Sequence, residues 1–239
     1  MGLAQSGMEE KSADALSDLY NQLSEEDAWC GLWKRRCAAE ETKLGFVMQQ
    51  LGHYQDAQKI YYNAMSTVHS NKMNENARLS KAEFDLWENQ YIMCAKRLSQ
   101  WDQLTEFARS VKHSELMSRS AMHVELLHEC LWRVPDWAGM KEVMNTSGLL
   151  DAQSAQLKLY HMYVALQENK LTEVEQLSGQ AVQLVLKQWV SLPDTGIHTF
   201  MPLLEIFQQF VELQESAKIL DELNNSTRNT TLTEQGICK

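Results

Sequence analysis

The sequence predicts an all-α fold, a solenoid of antiparallel helix hairpins, and three observations carry that expectation. Helix-start signals recur along the chain, while alternating period-2 runs are almost absent. The 239 residues include only 10 glycines and 3 prolines, so turns that depend on either can be few. One hairpin-like string then returns, weakened, at near-regular intervals.

In chain order, helix signals begin near Asp14, which leaves residues 1–13 as an expected flexible N-terminal segment. Ser24-Glu25-Glu26-Asp27 reads as a capping box: the serine hydroxyl accepts from the amide three residues on, and the acid answers it. The apolar series Trp29, Leu32, Trp33 and Cys37 follows, then Leu44, Val47 and Leu51 after a polar gap. Ser80-Lys-Ala-Glu83 is a second box, ahead of Phe84, Leu86, Trp87, Tyr91 and Cys94. Ser99-Gln-Trp-Asp102 is a third, ahead of Leu104, Phe107 and Ala108, and Thr172-Glu-Val-Glu175 is a fourth. Pro135 and Pro193 fall in breaks, where proline ends a helix, and Pro202 falls in the expected first turn of the next one. Lys72–Ala82 and the Asn- and Thr-rich residues 223–239 are expected as loop and as flexible tail or loop.

The repeat is clearest at Gly52-His-Tyr54-Gln-Asp-Ala57-Gln-Lys-Ile-Tyr61-Tyr-Asn-Ala64, which fits the second half of a tetratricopeptide (TPR) unit. Gly52 turns the chain between antiparallel helices, Tyr54 wedges the pair, Ala57 and Ala64 admit close approach, and Tyr61 fills the gap to the next unit. Trp101 with Leu104 and Phe107, Trp137 with Met140 and Val143, and Leu171 with Val174 and Leu177 echo it. The starts at 54, 101, 137 and 171 lie 47, 36 and 34 residues apart. That spacing is the range of TPR- and HEAT-like hairpins. Ser154–Gln167 carries two apolar stripes (Leu157, Tyr160, Val164; Leu159, Tyr163, Leu166), with Lys158, His161 and Ala165 as the wet face. Phe200–Gln214 likewise sets Leu203, Phe207 and Phe210 beside Leu204 and Val211. A helix apolar on two sides packs between neighbours.

Composition excludes several function classes. The net charge of −10 argues against direct nucleic-acid binding, and the densest basic cluster, Lys34-Arg35-Arg36, reads as a wet helix face. No segment approaches the ~20 apolar residues of a membrane span. Five scattered cysteines form no CxxC pair, so they read as small buried hydrophobes of a reducing compartment.

Catalytic signals are absent. No nucleophile elbow, P-loop, dinucleotide fingerprint or kinase catalytic motif occurs in the chain. His123-Val-Glu-Leu-Leu-His128-Glu-Cys130 lacks the His-Glu-x-x-His order, and its histidines point ~140° apart on a helix, so no metal site is expected. Glu25, Glu26, Glu40 and Glu41 are expected as solvated helix starts, where the dipole favours them. Catalytic, cofactor and metal residues are therefore each expected to be none. The positions singled out are structural: Gly52, Tyr54, Ala57, Tyr61, Ala64, Trp101, Leu104, Trp137 and Met140.

Several strings together point to one family. They are Asp14-Ala-Leu-Ser-Asp-Leu-Tyr-Asn-Gln-Leu-Ser-Glu-Glu-Asp27 with Trp29 and Gly31-Leu-Trp33, Trp87, Trp101-Asp-Gln-Leu-Thr-Glu-Phe107, Leu131-Trp-Arg-Val-Pro-Asp-Trp137 running on to Met140-Lys-Glu142, and Pro202-Leu-Leu204 ahead of Leu213-Gln-Glu-Ser-Ala217. They resemble the FAT region of the transformation/transcription domain-associated (TRRAP) family, pseudokinases among the phosphatidylinositol-3-kinase-related proteins. The resemblance implies a FAT-type helical-repeat domain over 14–222, part of a larger protein. It also implies a nuclear, non-catalytic scaffold of SAGA-type and related histone acetyltransferase complexes, contacted by their subunits and by transcription activators. Neighbouring solenoid units and the kinase-like domain of the parent chain would pack on it. The matched strings are packing motifs, so they carry no contact residue across. Two alternatives stay open: the regulatory FAT collar of an active kinase of the same superfamily, and a free TPR-type adaptor, which would require a basic concave groove.

Overall fold

A computed structural model describes residues 2–23, 25–70, 80–111, 121–147, 154–192 and 197–237. Eleven helices and no strand occur among the described residues, and the fold is an all-α helical solenoid. The chain divides into two compact units, Met1–Phe107 and Ala108–Lys239.

The first unit comprises α1 (Gly2–Gln22), α2 (Glu26–Arg36), α3 (Glu40–Gln50), α4 (Tyr54–Ser70), α5 (Lys81–Arg97) and the start of α6 (Trp101–Val111). Helices pack on their neighbours in sequence, α1 on α2 through α4 on α5, and α3 also touches α5. That next-but-one contact is how stacked hairpins bury a continuous core. The second unit comprises the rest of α6, α7 (Ala121–Arg133), α8 (Trp137–Ser147), α9 (Ala155–Gln167), α10 (Leu171–Ser191) and α11 (Ile197–Ile237). Here α7 and α9, and α9 and α11, make the corresponding contacts.

Four hairpin turns share one local design. After α3, His53 N donates to Met48 O (2.8 Å). After α5, α7 and α9, Gln100 N donates to Ala95 O (3.0 Å), Asp136 N to Leu131 O (2.9 Å) and Lys170 N to Ala165 O (2.9 Å). These six-to-one bonds satisfy carbonyls that a helix end leaves orphaned, as in a Schellman motif. Gly52 (φ +79°), Ser99 (φ +56°) and Asn169 (φ +59°) take the left-handed position. The next helix then starts two residues later, at Tyr54, Trp101 and Leu171. Five residues past each turn residue lies a side chain removed from solvent: Ala57, Leu104 and Val174, with Met140 in register after α7. Burying a Leu, Val or Met in this way contributes about 1.5–3 kcal/mol.

The turns also revise local readings. Ser99 is a turn residue and not the cap of a third box, because closing α5 requires a left-handed residue there. α10 starts at Leu171 with Lys170 before it, so Thr172 lies inside the first turn and caps nothing. Ser80 does cap α5, accepting from Glu83 N at 3.1 Å. Ser24, Pro193, Cys238 and residues 72–79 of the expected loop lie outside the described residues, and Lys81 and Ala82 at the end of that loop are helical, in α5. Pro202 sits in the second turn of α11 and not the first.

Helix is found where flexible ends were expected, over 2–13 within α1 and 223–237 within α11. From Pro202 to Gly236 no proline or glycine interrupts α11, and Asn and Thr only lower helix propensity. In α9, Ala165 is buried and not wet, because α9 is packed by α7, α8, α10 and α11. α11 buries Leu203, Phe210, Leu213 and Ala217 but exposes Leu204 and Val211, so it is one-sided among the described residues. Leu44, Val47 and Leu51 are also exposed, since α3 turns Thr42, Gly45 and Phe46 inward.

Candidate interaction groove

Buried polar side chains in the first unit tie helices to one another. Glu83 on α5 is almost fully buried, and its carboxylate accepts from Ala38 N (2.9 Å), Ala39 N (3.1 Å) and Thr42 Oγ1 (2.6 Å). Ala39 is the N-cap residue of α3 and has no side chain that can cap it, so α5 supplies the cap. Trp87 Nε1 donates to Thr42 Oγ1 at 2.7 Å and completes the cluster. Glu83 thus spends on α3 the oxygens that a capping box would return to its own helix.

Gln49 is the second tie. Its Nε2 donates to Gln90 Oε1 (2.9 Å) and contacts Cys94 Sγ (3.2 Å), and its Oε1 accepts from Tyr61 Oη (3.0 Å). Tyr61 packs closely on Gly45: a Cβ there would come within 2.4 Å of the ring. Burial pushes the Tyr61 phenol far above its usual range, so it remains a neutral donor. At the other end, Trp29 and Trp33 both donate to Ser17 Oγ (2.9 and 3.1 Å), which fastens α1 to α2. Arg36 is no wet-face residue: it pairs with Asp14 (2.6 Å) and lies 4.4 Å from the Trp33 ring centre. Its burial follows from that aromatic shelf.

These ties hold open a groove of about 480 Å³ lined by α1, α2, α3 and α5, with Tyr54 from α4. Trp29, Cys30 and Met93 are half-buried and show apolar surface to it, over buried Phe46 and Leu86. Trp29 meets Phe46 edge-on at 5.5 Å. Gln49, Gln50, Asn89 and Gln90 supply an amide wall. Glu25, Glu26 and Asp27 also line it, exposed at the start of α2, with Arg97 as its one cation. Burial raises the Cys30 thiol; the Lys34 cation opposes that shift, and Glu26 and Asp27 add to it.

The residues singled out in the sequence fall as follows in the structure. Ala57, Tyr61 and Ala64 are buried on α4, Leu104 on α6 and Met140 on α8, and Gly52 is the left-handed turn. Tyr54, Trp101 and Trp137 are half-buried at the first position of their helices. Of these, only Tyr54 lines the groove. The sequence alone places neither the Glu83 and Gln49 ties nor the groove. Glu83 did stand as the fourth residue of a capping box, whereas nothing local marked Gln49.

In the second unit, Ser154 caps α9 by accepting from Leu157 N (3.2 Å) and bonds to Glu125 on α7. Asp136 caps α8 by accepting from Gly139 N (2.9 Å). Glu168 bridges Lys141 (2.6 Å) and Lys170 (2.7 Å), and those two bonds lower its carboxyl to about 2. His128 is fully buried, with Nδ1 2.8 Å from Val124 O and its ring stacked on Tyr160. Among the described residues no group of three or more His, Cys, Asp or Glu side chains is placed to hold a metal ion, and no helix is long and apolar enough to cross a membrane.

Comparison with known proteins agrees with this helical architecture. Residues 124–235 match the FAT domain family. The chain is 35% identical over 91% of its length to the SAGA complex/NuA4 acetyltransferase complex subunit Tra1 of Schizosaccharomyces pombe, covering 6% of that protein. It is 36% identical over 92% of its length to the transformation/transcription domain-associated protein of Homo sapiens, again covering 6%. The Saccharomyces cerevisiae SAGA complex/NuA4 acetyltransferase complex subunit TRA1 is 34% identical over 91% of the chain, with 6% covered.

Proposed function

This chain belongs to the Tra1/TRRAP family through its FAT region, and we propose that it is a non-catalytic protein-interaction scaffold of a SAGA- or NuA4-type histone acetyltransferase complex. The observation that carries the reading is the 35% identity, spread over 91% of the chain, to a relative named as a subunit of both complexes. The chemistry of the first unit supports it: the polar groups in its interior are used to join helices.

The proposal extends to a nuclear setting, to complex subunits and transcription activators as partners, and to a repeat domain over 14–222 packed on neighbouring units of a longer parent. Because the chain spans 6% of that relative, the activity of a whole protein is part of the proposal. The test is to tag the endogenous protein, purify it from nuclear extract and identify what comes with it. Acetyltransferase-complex subunits are expected. A preparation holding none of them, or a tagged protein confined to the cytosol, overturns the reading.

A further inference from the structure

The groove of the first unit differs from what a TPR-type adaptor for acidic peptide tails would need. Three carboxylates, Glu25, Glu26 and Asp27, face one guanidinium, Arg97. Among the described residues none of the four closes an ion pair, and the nearest further cation is Lys34, held by the groove residue Gln50 at 2.7 Å, so the lining keeps an excess of acidic groups. Beside it, Trp29 and Met93 leave apolar surface half-covered. The volume of about 480 Å³ falls in the range of built ligand clefts, about 300–1,000 Å³. The floor is rigid: Trp29 is fixed to Ser17 and against Phe46, and Gln49 is fixed to Gln90 and Tyr61. A pre-formed groove binds without the cost of ordering its own walls.

The geometry points to a docking site for a basic amphipathic segment of a partner protein, with an apolar anchor seated on Trp29 and Met93 and lysine or arginine side chains against Glu25, Glu26 and Asp27. Charge complementarity selects this occupant: an acidic segment would meet like charge at Glu25, Glu26 and Asp27, and a purely apolar one would gain nothing from them. An apolar stripe flanked by cations is the pattern a helix presents when it lies in a groove. This deepens the scaffold reading, on which it rests for the partner's cellular setting.

The test uses the 239-residue chain and a fluorescein-labelled synthetic peptide in which lysine pairs alternate with leucine pairs. Anisotropy should report saturable binding that weakens as salt rises, and bound peptide should protect Cys30, which lines the groove, from alkylation. The triple variant Glu25→Gln, Glu26→Gln, Asp27→Asn should bind at least about tenfold more weakly. A variant with the same charge change elsewhere, Glu142→Gln, Glu205→Gln, Glu215→Gln, should bind as the parent does. Circular dichroism confirms that both variants are folded. Equal loss in the two variants, unprotected Cys30, or equal binding of the peptide with glutamate in place of lysine overturns the assignment. So does competition for the groove by a second copy of the chain. Failure here leaves copurification of acetyltransferase subunits as a separate measurement, so the two readings fall independently.

Discussion

The Glu83 carboxylate lies 2.6 Å from the Thr42 hydroxyl, 41 residues earlier in the chain and on another helix. The same carboxylate takes the amide protons of Ala38 and Ala39, so one side chain of α5 closes the open N-terminus of α3. Trp87, one turn further along α5, donates to the same Thr42 hydroxyl. The contact between α3 and α5, which stacks one hairpin on the next, is thus made by hydrogen bonds as well as by Phe46 and Leu86.

Glu83→Ala should therefore destabilise the chain by about 1–3 kcal/mol, because it takes the acceptor from the buried Thr42 hydroxyl and from the part-buried amide bonds of Ala38 and Ala39. Glu83→Gln keeps an accepting oxygen and should cost roughly half as much. Urea unfolding followed by circular dichroism reads both. Combined with Thr42→Val, the pair should show a coupling of about 0.5–3 kcal/mol. An alanine variant with an unchanged midpoint would remove Glu83 from this role.

Gly45 and Tyr61 make the second testable contact. A methyl group at 45 would sit 2.4 Å from the Tyr61 ring, and that ring is buried and held by Gln49. Gly45→Ala should cost about 1–3 kcal/mol by overpacking, despite the better helix propensity of alanine. Adding Tyr61→Leu should recover part of the loss in the same melt, because the shorter side chain vacates the space.

The register of the hairpins was legible in the sequence because it is local. A turn that ends one helix and starts the next within two residues must repeat its pattern, and the starts at Tyr54, Trp101, Trp137 and Leu171 follow from it. The cap on α3 was not legible, since Ser80 and Glu83 look like an ordinary capping box and only the fold redirects the carboxylate by 44 residues to Ala39. The groove was illegible for the same reason: Trp29, Gln49 and Met93 come from three helices, and no spacing links them. Exposure misled in the other direction. Leu44, Val47 and Leu51 keep helical spacing, yet close packing of Gly45 on Tyr61 turns the other face of α3 inward.

The turns themselves differ in strain. Gly52 adopts φ +79° freely, whereas Ser99 holds φ +56° against its own Cβ. Ser99→Gly should stabilise the chain by roughly 1 kcal/mol, and Gly52→Ala should destabilise it by a similar amount. Asn169→Gly should gain less, because asparagine tolerates the left-handed region and Asn169 Oδ1 also accepts from Asn224 at 3.0 Å. Thermal melts of the three variants test that order, and a destabilising Ser99→Gly would contradict it.

The Lys141–Glu168–Lys170 bridge predicts an acid-dependent loss. Two lysine hydrogen bonds lower the Glu168 carboxyl from 4.5 to about 2, so the folded chain keeps it ionised where the unfolded chain takes up a proton. The resulting stabilisation is complete above about pH 4.5 and is lost as the pH falls from there toward 2. The contact of all three side chains with solvent keeps the effect modest and sensitive to salt. Lys170 is shifted upward by the same carboxylate, so its share persists below the usual lysine range and fades above it. Carboxyl titration by NMR should find Glu168 well below the usual glutamate range, and Glu168→Gln should flatten the melting temperature between pH 4.5 and 2 relative to the parent. A Glu168 that titrates near 4.5 would show that the bridge does not persist in solution.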